Sequence, residues 1–252
     1  SILLSAERRI EAFETIDNAL AMKSWYRPAV QMRARILHML GRVDEAIEFL
    51  TQGLEYIQSS PMVMQLMTLK REVDDHAGME LLADRFDQLA VAAGETERLW
   101  IMARRADLLA LRGNFAKAAD FADKVPGEYY EGLSRRMRLP GVMNVRKRLP
   151  TEFVLQKHNT CAPATLAAIA MFWKRPITME QIVDAICYDG TYDHNERIWA
   201  HENGFAAREF TVTLEAARHI IDTGMPFVLH TVEIGSGHSQ AVVGYDLLRE
   251  TL

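Results

Sequence analysis

The chain has 252 residues, with 29 Lys and Arg against 34 Asp and Glu and a formal net charge of −5. That length accommodates two domains, each able to bury its own core, and so mild an acidity argues against a general nucleic-acid binder. Two cysteines make no disulfide framework, so Cys161 and Cys187 read as free thiols in a reducing, cytoplasmic setting; no apolar run approaches the roughly 20 residues that span a bilayer.

Residues 1–125 carry apolar positions at helical spacing and no β-rich runs. A repeat runs through them. Gly41, Ala46 and Phe49 recur as Gly78, Ala83 and Phe86, and again as Gly113, Ala118 and Phe121, a G-x4-A-x2-F pattern with offsets of 37 and 35 residues. Ala12, 34 positions before Ala46, reads as the remnant of an earlier unit. The pattern has a mechanical sense: glycine ends one helix in a left-handed turn, alanine lets the next helix lie close, and phenylalanine fills the gap to the following unit. Spacing and residue types over about 26–125 resemble tetratricopeptide repeats, although "DDHAGMELL" in the middle unit is irregular. The resemblance implies a groove for a protein partner; bracing of the second half is the alternative.

Residues 126–150 contain Pro126, Pro140, Pro150, Gly127 and Gly141 and six Arg or Lys against two Glu. They are expected to form a linker lying on acidic helices nearby. From residue 151 the pattern changes. Helices are expected at 162–173, 178–187 (with Thr178 as N-cap), 195–203 and 214–223, and strands at "AAREFTV", "PFVLHTV" and "HSQAVVGY". This predicts an α+β unit over 151–252, with the first helix packed on an antiparallel sheet.

That first helix begins at Cys161 in "QKHNTCAPATLAAIA", and Pro163 falls in its first turn, where a missing N–H costs nothing. Unpaired amides and the helix dipole favour a thiolate at such a position, and Ala162, Ala164, Ala167 and Ala168 let the helix sit deep. A nucleophilic thiol needs a base and oxyanion donors. Gln156, five residues upstream, can join its amide to the Cys161 N–H, and His238 opens the last strand after the Gly235–Ser236–Gly237 turn.

"QKHNTCAPATLAAIA" followed by "GHSQAVVGYD" resembles the papain-like cysteine peptidases that cut double-glycine (bacteriocin-processing) leader peptides, over about residues 152–246. "DGTYDHNERIWAHENGF" and "GMPFVLHT" resemble the same family's intervening segments. The resemblance implies a papain-like fold and a peptide or protein substrate. By residue it implies Cys161 as nucleophile, His238 as general base and Gln156 as oxyanion donor, with no cofactor and no metal. The group that orients the histidine is missing from this set. If 238–245 is one strand, eight residues at about 3.3 Å put Asp246 some 26 Å from His238. Because the chain opens on Ser1 and stops at Leu252 within an expected strand pair, it reads as a fragment; an orienting Asp or Asn is then expected about ten residues past Leu252, on a returning strand.

Other candidates have plainer readings. Cys187 fills a core gap; His158 lies near the nucleophile; His201, His219 and His230 are structural; Tyr192, Asp193 and His194 border a substrate groove; Trp173 and Trp199 are core; and the methionines of 62–79 pack between repeats. No C-x2-C or H-x3-H spacing supports a zinc site from Cys161, Cys187, His158 and His194. The expected function is a cysteine peptidase whose helical repeats recruit substrate or partner. The alternatives are an inactive peptidase-like binding module acting as a scaffold, or an acyl or amide transferase using the same cysteine.

Overall fold

The computed structural model describes residues 9–91, 93–233 and 236–252. The chain divides into two compact units, Ser1–Asn144 and Val145–Leu252. Among the described residues, no helix is long and apolar enough to cross a membrane.

The first unit is helical: α1 (Arg9–Met22), α2 (Arg27–Met39), α3 (Val43–Tyr56), α4 (Ser60–Glu72), α5 (His76–Leu89), α6 (Glu95–Leu111), α7 (Phe115–Ala122) and α8 (Glu128–Met137). Short turns join α2 to α3, α4 to α5 and α6 to α7, and within each pair the helices pack on each other; α2 also touches α4. The core between them holds Ala46, Leu50, Met62, Met67, Met79, Ala83 and Phe86, so the methionine-rich stretch is interior packing. Gly41 and Gly113 have φ of 73° and 75°, the left-handed turn conformation that a side chain resists.

Gly78 departs from that role. It lies inside α5, where its N–H donates to the Asp75 carboxylate at 2.8 Å, and the turn falls instead on Asp74, with φ 55°. The middle helix therefore starts earlier relative to the pattern. Ala83 and Phe86 sit one turn farther along it than Ala46 and Phe49 do on α3, and one turn returns a side chain to the same face. Ala46 and Ala83 are accordingly both buried.

Residues 128–137, expected within a linker, form α8. Leu133 and Met137 bury against the array, Ser134 donates to Asp123, and Arg138 pairs with Asp120 and Asp123. Asp120 on α7 and Asp123 just past its end thus hold the basic segment that follows.

The second unit contains β1 (Arg146–Arg148), α9 (Cys161–Phe172), α10 (Met179–Ile186), α11 (Asp193–Glu202), α12 (Leu214–Asp222), β2 (Phe227–Glu233), β3 (Ser236–Val242) and β4 (Gly244–Asp246). α9 is apolar on all sides and buried from Ala162 to Ala170, as a helix in the middle of a core must be. Thr178 caps α10 through a reciprocal bond pair with Gln181, at 3.3 and 2.9 Å. β2 and β3 form an antiparallel hairpin with His230 opposite Ser239 and Thr231 opposite His238.

Three expectations change. Residues 206–212 form no strand, because no neighbouring segment offers them a ladder. "HSQAVVGY" is two strands: the chain bends at Val243, and β4 leaves β2 to pair with β1, Lys147 facing Tyr245. Trp173 is 47% exposed at the end of α9, in edge contact with Phe172, which turns inward in its place. Trp199 is buried.

The β1–β4 contact depends on Gly244. A Cβ there would lie 2.3 Å from the Lys147 carbonyl oxygen, a backbone atom that cannot swing aside. Tyr245 then donates to Asp222 at 2.9 Å, and Lys147 reaches the Asp222 carbonyl at 3.1 Å, fastening the end of α12 to this ribbon. The Tyr245 hydroxyl, helped by Lys147, holds the Asp222 carboxyl below its usual range. A Gly244→Ala variant is expected to lose about 1–3 kcal/mol of stability, the usual cost of overpacking, measured by chemical denaturation. Asp222→Asn is expected to lower the melting temperature at pH 7. A depressed carboxylate contributes stability above its unfolded-state pKa and loses it as pH falls through the folded one, so the deficit should shrink below about pH 4.

Candidate functional site

Cys161 is the first residue of α9 and is half-buried. Thr160 precedes it, and its hydroxyl turns away from the helix, accepting from the Lys157 N–H at 2.7 Å and donating to the Lys157 carbonyl at 3.0 Å. No side chain therefore caps α9, and the first intrahelical bond of the segment is Ala164 N–H to Thr160 at 3.0 Å. The Cys161 and Ala162 amides precede that bond and lack intrahelical acceptors, while Pro163 has no N–H to satisfy.

The loop before Cys161 is tied to the loop after α10. Asn159 takes a left-handed φ of 54°, a conformation asparagine tolerates. Its side chain donates to Asp189 at 2.9 Å, and the Cys187 thiol donates to its carbonyl at 3.5 Å. Cys187 is therefore half-buried and holds the loop two residues before Cys161, rather than filling a closed core gap. Past that tie, Tyr188 and Tyr192 stand 91% and 72% exposed, Tyr192 stacking on His194. Gln156 and His158 are exposed on the same loop as Asn159.

One polar side chain interrupts the buried apolar run of α9. Thr165 is 6% exposed, and its hydroxyl donates to the Ser239 carbonyl at 3.1 Å. The neighbouring His238 carbonyl points the other way, toward β2, where the Thr231 hydroxyl donates to it at 3.4 Å. The Ser239 carbonyl thus belongs to the edge of β3 away from β2, and α9 lies along that edge. Farther on, Phe172 packs on the cluster containing Val242. From Thr165 to Phe172 the helix rises about 10.5 Å, and from Ser239 to Val242 the strand advances about 10 Å. The two elements are thus joined at Thr165 and share a packed cluster farther on. One turn back from Thr165, about 6 Å, is Cys161; one residue back from Ser239, about 3.8 Å, is His238.

His238 is exposed on its strand, and among the described residues no hydrogen bond joins it to Cys161 or Gln156. Asp246 is engaged elsewhere: its carboxylate accepts from the Arg249 N–H at 2.9 Å and pairs with the Arg249 guanidinium at 2.7 Å.

The opposite face of the hairpin carries a cluster that the sequence reading did not assemble. Ser239 donates to Glu196 at 3.5 Å and lies 3.1 Å from His230 Nδ1, and Glu196 is 5% exposed on α11. Burial, with Asp193 close by, pushes the Glu196 carboxyl up to about 7. The signal available in sequence was Asp193 in the loop before the expected helix, Glu196 on that helix and His230 on a strand; nothing local joins them, and the helix in fact begins at Asp193.

Residues 148–252 match the Peptidase_C39 like family. The match supports a C39-type peptidase domain over this part of the chain. No curated protein and no solved structure matches the chain.

Thr165→Val keeps the shape of the side chain and removes the hydroxyl. It is expected to cost about 1–3 kcal/mol by leaving the Ser239 carbonyl without this partner, and to raise amide exchange along β3 more than along β1, measured by hydrogen–deuterium exchange.

Proposed function

We propose that residues 148–252 form a papain-like cysteine peptidase in which Cys161 is the nucleophile and His238 the general base. The Thr165–Ser239 hydrogen bond carries this reading, because Cys161 lies one turn before Thr165 on α9 and His238 one residue before Ser239 on β3. The match of this segment to a peptidase family agrees with it.

The chemistry follows from the parts. The helix start, with amides free of side-chain caps, stabilises negative charge at the sulfur. The thiolate attacks a peptide carbonyl, and the resulting oxyanion is held by the Cys161 N–H and the Gln156 carboxamide. His238 accepts the thiol proton and delivers it to the leaving amine. Exposure of Gln156 and His238 suits a site that a peptide covers only when bound. The helix pairs of the first unit, read as tetratricopeptide-like repeats, recruit substrate or partner; a cavity of about 510 Å³ between α2 and α4, lined by Gln31, Arg35, His38, Gln65 and Thr68, supports that assignment.

The test compares the two thiols in one molecule. Under limiting iodoacetamide, Cys161 is expected to react at least about tenfold faster than Cys187, whose thiol is engaged with a carbonyl. Cleavage of a peptide library is expected to disappear in Cys161→Ala. Equal alkylation of the two cysteines, or cleavage that persists in Cys161→Ala, would refute the assignment.

A further inference from the structure

The geometry points to a divalent-cation site formed by Asp193, Glu196 and His230, separate from Cys161, with zinc as the fitting ion. Asp193 and Glu196 lie three residues apart on the first turns of α11, on one helix face, and His230 faces them from β2. One ligand atom from each of the three residues falls within 4.8 Å of the others.

His230 Nδ1 lies 3.1 Å from the Ser239 hydroxyl, and its Nε2 lies 3.7 Å from Glu196 Oε2. That separation is longer than a hydrogen bond, and with Nδ1 against Ser239, Nε2 is the nitrogen that a cation between imidazole and carboxylate would take. Two atoms 3.7 Å apart, each about 2.1 Å from one ion, subtend about 120° at it, so an ion fits between them without moving either backbone.

Burial sharpens the requirement. The Glu196 side chain is 6% exposed, and Arg197, the next residue, is committed to Glu209. Asp193 is 65% exposed, its Oδ1 4.0 Å from His230 Nδ1, and a change of its side-chain rotamer would bring it in as third ligand with water as the fourth. Once binding releases the Glu196 proton, two carboxylates and a neutral imidazole sum to −2, which a dication balances. One nitrogen among oxygen donors suits a borderline ion such as zinc better than calcium or magnesium. The Ser239 hydroxyl behind the imidazole supplies the outer hydrogen bond that fixes a ligating histidine. Such an ion staples the start of α11 to the β2–β3 hairpin that carries His238.

Zinc chloride titrated calorimetrically into the chelator-stripped 252-residue chain, with Cys161 and Cys187 both changed to Ser, tests this directly. One equivalent is expected to bind. Asp193→Asn, whose exposed side chain leaves folding intact, and His230→Gln are each expected to weaken binding by at least about tenfold. Circular dichroism confirms that each variant is folded before titration. No saturable uptake, or uptake unchanged in both folded variants, would overturn the site. Uptake by the parent chain that vanishes once the cysteines are replaced would overturn it equally.

Discussion

A buried hydroxyl inside an apolar helix must find an acceptor, and in this chain the acceptor it finds organises the second unit. α9 is buried over nine consecutive residues, and Thr165 is the one among them that carries a polar side chain. The edge of β3 has the converse need, since carbonyls turned away from β2 have no strand to receive them. The Thr165–Ser239 bond answers both at once. Its net worth is modest, about 1 kcal/mol, but its directional content is large. Sliding α9 by one residue would rotate the hydroxyl about 100° off the strand and leave both groups unsatisfied in a dry interior.

Around that fixed line the rest of the unit is fastened at its ends. The loop before Cys161 is held through Asn159 to Asp189 and Cys187, so the polar segment "QKHNT" does not depend on α9 alone. At the far end the strand bends after β3, and Gly244 lets β4 press against β1 closely enough that no side chain fits between. Asp222 then collects Tyr245 and Lys147. These ties hold the loop before α9 and the chain beyond β3 independently of the Thr165–Ser239 bond.

Much of this was legible in the sequence, for identifiable reasons. α9, α10, α11 and α12 lie within about two residues of the expected bounds because their signals are local: a proline in the first turn, the Thr178 capping box, and apolar spacing. The hairpin was equally visible as two strand-like runs, although Ser236 and Gly237 of the expected turn belong to β3 and Gly235 lies outside the described residues. What failed to show depends on partners. "RKR" at β1 has the composition of a linker and becomes a strand only because Gly244 admits it. Residues 206–212 end in the strand-favouring run Phe210-Thr211-Val212 yet lack a neighbour, and residue types describe one segment where a ladder needs two. In the repeat, Gly78 matched the pattern but not the turn, because Asp74 accepts the left-handed conformation in its place. The Glu196–His230–Ser239 cluster joins a hairpin pair to a helix about forty residues earlier, which periodicity cannot anticipate.

The account rests on Cys161 and His238 acting as a pair, and the pH profile of thiol alkylation measures that pairing most directly. The rate at Cys161 should be followed from pH 4 to 10 in the parent chain and in His238→Ala. The account predicts that removing the imidazole suppresses the reaction near neutrality and leaves it to recover only in alkaline solution. Superimposable profiles would show that the imidazole does not act on the sulfur, and would contradict it.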